Sequence, residues 1–108
     1  MHNLRTFREA SPEVQVAPVL KSNAYGHGLK EVASVLDGEG VPFLVVDSYF
    51  EALVLRREGI KSDVLVIGFT APENIYRNRL KNVVFTVTGM EQMKAIAENL
   101  KQPVNFHL

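Results

Sequence analysis

The chain has 108 residues, with 12 basic and 12 acidic side chains and therefore no formal net charge. That length suits one domain with one modest core, and the scattered charge disfavours nucleic acid, which requires a clustered basic surface. The absence of cysteine excludes disulfides and thiolate metal sites, and the polar N-terminus and lack of long apolar runs favour one cytoplasmic folding unit without a signal or membrane span.

Helix and strand patterns alternate along the chain. After a short helical stretch at Leu4–Glu9, short apolar, β-branched runs predict strands at Val14–Leu20, Phe43–Val46, Val64–Ile67, Val83–Val87 and Val104–Leu108. The spacing of apolar residues predicts helices between them at Leu29–Leu36, Tyr49–Glu58, Glu73–Leu80 and Met90–Leu100. Because each helix returns the chain to the same end of the sheet, the alternation predicts an α/β fold with parallel strands.

Three of the predicted helices begin with the sequence pattern of a capping box. In this motif a hydroxyl accepts a hydrogen bond from the backbone N–H three residues later, and the carboxylate at that position reaches back. The pairs are Ser48–Glu51, Thr70–Glu73 and Thr88–Glu91.

Two architectures fit this pattern: a complete doubly wound sheet of five strands, or a partial (β/α)₈ TIM barrel of about five parallel strands. The ends favour the partial barrel, because Val104–Leu108 has no covering helix after it and Leu4–Glu9 has no strand before it. Pro18 conflicts with a central strand because it has no N–H for the ladder, but an edge strand tolerates it.

Lys21 is the first candidate for chemistry. Strand alternation places it with Ala17 and Val19, opposite the bulkier apolar side chains. In a barrel the helices cover the outer face, so Lys21 would project inward at the carboxyl end of its strand, where barrel enzymes hold catalytic groups. A partly desolvated lysine amine is a nucleophile towards an aldehyde; the alternative is a solvated lysine at a strand end.

The segment after Lys21 has weaker signals. Gly26 and Gly28 precede a predicted helix, whose N-terminus would favour an anion such as phosphate, although paired glycines are also common in plain turns. Tyr25 is able to offer its hydroxyl to that phosphate. His27, between the two glycines, suits a structural role better than acid–base chemistry, and no residue spacing indicates a metal site.

The run Val19–Gly28, V-L-K-S-N-A-Y-G-H-G, resembles the signature around the cofactor lysine of the alanine racemase family, typically V-x-K-A-N-A-Y-G-H-G. Ser22 replaces the common alanine. The likeness continues through Val46–Ala52, Leu55–Ile60, Val64–Gly68 and Asn105–Leu108.

This resemblance implies that residues 1–108 are the N-terminal portion of a (β/α)₈ domain that binds pyridoxal 5'-phosphate. It implies that Lys21 forms the internal aldimine and acts as one of two bases, that Tyr25 helps to bind the phosphate, and that Ile67 lies against the cofactor. The implied reaction interconverts L- and D-alanine, for peptidoglycan precursors, in a homodimeric parent protein. The second base and the phosphate loop belong to segments outside these residues, so the fragment alone is expected to be inactive.

Two other functions remain open from the sequence. Another pyridoxal-phosphate barrel enzyme, such as an amino-acid decarboxylase or a racemase of broader specificity, would use the same lysine. A flavodoxin-like module of five strands would bind a partner or phosphate without catalysis; receiver-type modules carry a carboxylate cluster at their strand ends, and only Asp47 fits that pattern here.

Overall fold

The computed structural model describes residues 1–108 and contains six helices and four strands. The helices are α1 (His2–Ala10), α2 (Lys21–Tyr25), α3 (Leu29–Leu36), α4 (Tyr49–Arg57), α5 (Pro72–Tyr76) and α6 (Met90–Asn99). The strands are β1 (Leu44–Val46), β2 (Val64–Val66), β3 (Val83–Thr86) and β4 (Asn105–His107). No helix has both the length and the apolar character needed to cross a membrane.

The four strands form one parallel sheet in the order β1-β2-β3-β4. A single parallel bridge between Val19 and Val45 adds the preceding segment to the free edge of β1. Neighbouring strands therefore follow the order of the chain, as they do in a barrel. A flavodoxin-like sheet has the order 2-1-3-4-5, so the fold is a partial (β/α)₈ barrel and not a doubly wound module.

The first predicted strand, Val14–Leu20, was too long. Only two hydrogen bonds join it to β1: Val45 N–H donates to the Pro18 oxygen over 2.9 Å, and Leu20 N–H donates to the Val45 oxygen over 2.7 Å. Pro18 lacks the N–H that would extend the ladder towards the N-terminus. Leu20, with φ −112° and ψ 9°, leaves the extended region. The segment is a bridge at the sheet edge, where a proline is tolerated.

The core lies between the sheet and the helices on one of its faces. Side chains with no exposed surface alternate along the strands and pack with those of the helices; they are Leu44, Val46, Val64, Val66, Phe85, Ala33, Ala52 and Leu55. The intervening side chains of β2 and β3 are only partly buried. This second face corresponds to the interior of a barrel.

Of the three predicted capping boxes, one is confirmed. Ser48 Oγ accepts from Glu51 N–H over 3.2 Å, and Glu51 Oε2 accepts from Ser48 N–H over 3.4 Å. The boxes at Thr70 and Thr88 were wrong, because α5 and α6 begin one residue later, at N-caps without side-chain capping bonds.

The buried side chain of Gln92 bonds to the backbone at both threonines. Its Oε1 accepts from Thr88 N–H over 2.9 Å, and its Nε2 donates to the Thr70 oxygen over 2.8 Å. The helix predicted at Glu73–Leu80 also ends early, because Asn78 Oδ1 accepts from Leu80 N–H over 2.9 Å and closes a turn instead.

Candidate functional site

Lys21 lies at the carboxyl end of the bridging segment, directly after the buried Leu20. It is partly buried, and its ammonium has neither an ion pair nor a hydrogen bond, whereas Lys30 is paired with Glu58. Lys21 is the first residue of α2, so strand alternation does not extend to it as the sequence suggested. Its place at the carboxyl edge is as expected for a barrel site.

Four consecutive residues after Lys21 form a left-handed helical turn. Ser22, Asn23, Ala24 and Tyr25 have φ values of 55°, 56°, 53° and 54°. The sequence analysis assigned no helix or strand to these residues. Only glycine, and less often asparagine or aspartate, adopts this region routinely, so a run of four such residues requires support from the surrounding structure.

The other two predicted cofactor residues lie at the same edge of the sheet. Tyr25 ends α2 and is 62% exposed. Ile67 follows β2, is 37% exposed, and donates its N–H to the Val46 oxygen over 2.9 Å. Strand alternation puts Ile67 on the same face as Leu65, the face that the helices do not cover.

A cleft of about 900 Å³ lies between the loop before α3 and the start of α4. His27 lines it with charged residues of both signs, including Lys30, Glu31 and Asp47, but Lys21, Tyr25 and Ile67 do not. Ser22 and Asn23, directly after Lys21, also line the cleft, so it adjoins the candidate site without including those three residues. Lys21, Tyr25 and Ile67 share their place at the carboxyl edge of the sheet.

Asn23 organises the start of α3, a role that the sequence analysis missed. Its Oδ1 accepts from Leu29 N–H over 2.8 Å, six residues along. A side chain at Gly28 would meet the Glu31 carboxylate. The Asn23 side chain thus already occupies the Leu29 N–H at this helix N-terminus, and the Tyr25 hydroxyl is a further candidate donor to a phosphate. The signal for Asn23 was its residue type, since asparagine both tolerates positive φ and caps helices.

The shifted side-chain pKa values belong to structural contacts rather than to the site. The hydrogen bond from the Ser62 hydroxyl lowers the pKa of Asp37, and burial lowers the pKa of Arg56. Arg56 donates to four backbone oxygens in the loops before β2 and β3, those of Ile60, Ser62, Lys81 and Asn82. These contacts join the amino-terminal ends of the strands, opposite the edge that carries Lys21.

The donor set at the carboxyl edge fits part of pyridoxal phosphate. An unpaired primary amine suits the aldehyde, and an exposed phenol suits a phosphate oxygen. The chain itself offers no charged partner that would compete for the Lys21 ammonium. The fold and this edge define an α/β barrel domain of the kind that holds a ligand at the carboxyl ends of its strands.

Comparison with known proteins identifies the family. The model of the alanine racemase N-terminal domain matches residues 1–108, and the chain belongs to this family. It is 36% identical over 110 residues to an alanine racemase of Carboxydothermus hydrogenoformans, covering 99% of this chain and 30% of the relative. It is 35% identical to a serine/alanine racemase of Enterococcus gallinarum, covering 100% of this chain and 16% of the relative.

A solved structure gives the same result for the fold. The alanine racemase of Oenococcus oeni superposes with a TM-score of 0.89 at 25% identity, over 99% of this chain and 30% of that chain. The present chain therefore spans about a third or less of the length of the proteins that it matches.

Proposed function

We propose that residues 1–108 are the N-terminal portion of the cofactor domain of a pyridoxal-phosphate-dependent racemase that interconverts L- and D-alanine. The observation that carries this proposal is Lys21, a partly buried and unpaired amine at the carboxyl edge of the sheet. It stands in a chain of the alanine racemase N-terminal family.

In this proposal each of the three site residues has a defined role. Lys21 Nζ would hold the cofactor and would take or return the α-proton of the substrate on one face. The Tyr25 hydroxyl donates to a phosphate oxygen, and Ile67 packs against the ring. When bound, pyridoxal phosphate supplies the electron sink that makes the α-proton of an amino acid acidic. The second base and the remaining phosphate contacts come from outside these residues.

Borohydride reduction of the intact protein tests the attachment. We expect the visible absorbance of the bound cofactor to disappear, and peptide mapping to find the reduced adduct on Lys21. The Lys21→Met variant, which keeps the length and the apolar stem of the side chain, should carry no adduct. An adduct on another lysine would refute the site.

Proton exchange tests the reaction class. The intact protein should exchange the α-proton of L-alanine in deuterium oxide and produce D-alanine, whereas a decarboxylase would release carbon dioxide. No exchange would refute racemisation. Because one relative is a serine/alanine racemase, L-serine is the second substrate to test, and turnover comparable to that of alanine would indicate the broader specificity.

We further propose that the parent protein is a cytoplasmic homodimer. Three large apolar side chains follow the carboxyl ends of successive strands and are exposed: Phe50 by 68%, Phe69 by 68% and Met90 by 70%. An apolar rim of this kind indicates a surface that another protein surface covers. Light scattering of the intact protein should give a dimer, and Phe50→Asp with Phe69→Asp should shift it to monomer; an unchanged mass would contradict this interface.

A further inference from the structure

The left-handed turn at Ser22–Tyr25 follows Lys21 directly and ends with Tyr25, the two residues of this segment that the proposed function assigns to the cofactor. A left-handed conformation costs L-residues about 1–2 kcal/mol each, so four in succession persist only where other contacts compensate. The relative directions in which Lys21 and Tyr25 leave the backbone depend on this turn, because Lys21 precedes it and Tyr25 is its last residue.

Asn23 accepts three of the hydrogen bonds that hold the turn, more than any other of its residues. Its main-chain oxygen accepts from Gly26 N–H over 3.1 Å and from Gly28 N–H over 3.0 Å. Its side-chain Oδ1 accepts from Leu29 N–H over 2.8 Å. The N-cap residue of α3, Gly28, provides no side-chain cap, so the side chain of Asn23 is the direct polar link between the turn and this helix.

The helix at the other end of this link is firmly placed. Ala33 of α3 has no exposed surface, and Leu29 and Leu36 are buried in the same core. The ion pair between Lys30 and Glu58 joins α3 to the end of α4. Asn23 therefore connects a costly backbone conformation to a rigid element, as residues that support a reactive group do.

We infer that Asn23 is a positioning residue for the cofactor lysine: its Oδ1 contact with Leu29 N–H holds the left-handed turn that orients Lys21 and Tyr25. This inference rests on the proposed function. It assigns no contact between Asn23 and the substrate or the cofactor.

Three substitutions in the intact protein separate two properties of Asn23: its side-chain acceptor and its tolerance of positive φ. Asn23→Asp keeps both the acceptor and the tolerance of positive φ. Asn23→Gly keeps only the tolerance of positive φ, and Asn23→Ala loses both. Asn99→Ala, which removes an exposed side-chain hydrogen bond at the end of α6, is the matched control.

The dissociation constant of pyridoxal phosphate is the main measurement, with melting temperature followed in parallel. We expect Asn23→Gly and Asn23→Ala to raise the dissociation constant on the order of fivefold to tenfold, which is what the loss of one orienting hydrogen bond produces. The dissociation constants of Asn23→Asp and Asn99→Ala should stay within about twofold of the wild-type value, which is less than the loss of one hydrogen bond would produce. Borohydride should still label Lys21 in each variant that binds.

Two outcomes would overturn the inference. Wild-type affinity in Asn23→Gly would show that the acceptor is not needed, and an equal loss in Asn23→Asp would show that the acceptor does not rescue. If Asn23→Ala does not fold, the glycine and aspartate variants decide the matter alone. If the wild-type protein carries no cofactor on Lys21, the proposed function itself is refuted. The borohydride experiment on the wild-type protein shows this before any variant is compared.

Discussion

At position 68 only glycine fits, because any side chain there would collide with the backbone that continues the neighbouring strand. The Gly68 N–H donates to the Asp47 oxygen over 2.9 Å, and a Cβ at this position would lie 2.1 Å from that same oxygen. The contact continues the pairing of β1 and β2 beyond their last residues. It therefore brings the chain after Asp47 and the chain after Ile67 together at the carboxyl edge.

We expect Gly68→Ala to destabilise the intact protein by about 1–3 kcal/mol, because the methyl group would separate the two backbones. Gly89→Ala is the control for the added methyl group: its φ of −175° suits any residue and no atom lies within 4 Å of the added Cβ, so the change loses only the N-cap preference for glycine over alanine. Urea unfolding measures both. Equal stability of the two variants would contradict the proposed overlap.

Asp37 predicts a pH dependence of stability. Its carboxylate accepts from the Ser62 hydroxyl over 2.7 Å and from the backbone N–H groups of Ser62 and Lys61, and these bonds lower its pKa from 3.8. A carboxylate with a lowered folded-state pKa stabilises the fold above its unfolded-state pKa and loses that contribution as the pH falls through the folded-state value.

Asp37→Asn should therefore be less stable than wild type at pH 7, and the gap should narrow as the pH falls below about 3.8, the unfolded-state reference. Urea midpoints at several pH values measure this. Glu39→Gln, an exposed carboxylate without a side-chain hydrogen bond, should show no such gap. A gap for Asp37→Asn that is constant with pH would refute the assignment.

At the scale of elements, the same capping-box pattern leads to helix N-termini with different hydrogen bonds. Ser48 caps α4 in a complete capping box. Thr70 has the same pattern, but its hydroxyl is buried and has no hydrogen-bond partner. Pro72 at the first position of α5 makes Ala71 the N-cap instead. The pattern identifies candidates, and the path of the chain into the helix selects among them.

Ser48→Ala should cost about 1 kcal/mol, the usual worth of an N-cap. Thr70→Val should be neutral or stabilising, because it replaces a buried, unpaired hydroxyl with a methyl group of the same shape. Thermal melts of the two variants of the intact protein measure the sign of both changes in stability. A loss in Thr70→Val as large as that in Ser48→Ala would show that Thr70 does form a cap.

At the scale of the whole molecule, residues 1–108 leave more surface exposed than a closed domain does. The accessible surface is 7010 Å², against about 6000 Å² for a compact protein of 12.1 kDa. The radius of gyration is 14.6 Å, against about 13 Å. The excess agrees with a sheet whose second face has no covering element and whose β4 edge is unpaired.

Residues 1–108 expressed alone should therefore melt broadly or aggregate, because unpaired strand edges and apolar surface promote association. Size-exclusion chromatography and a thermal melt measure this, with the intact protein as the control. A soluble monomer with a sharp cooperative transition would contradict the expectation.

The sequence by itself determined the alternation of strands and helices, the cap at Ser48 and the motif that singles out Lys21, because these depend on periodicity and on neighbours within a few residues. The tertiary structure alone decided the order of the strands, the reduction of Val14–Leu20 to one bridge and the left-handed turn after Lys21. Each of these depends on partners distant in sequence or on a backbone conformation that the residues disfavour in isolation. Asn23 was missed for that reason: its importance lies in a hydrogen bond to a helix that exists only because α3 packs against the rest of the core.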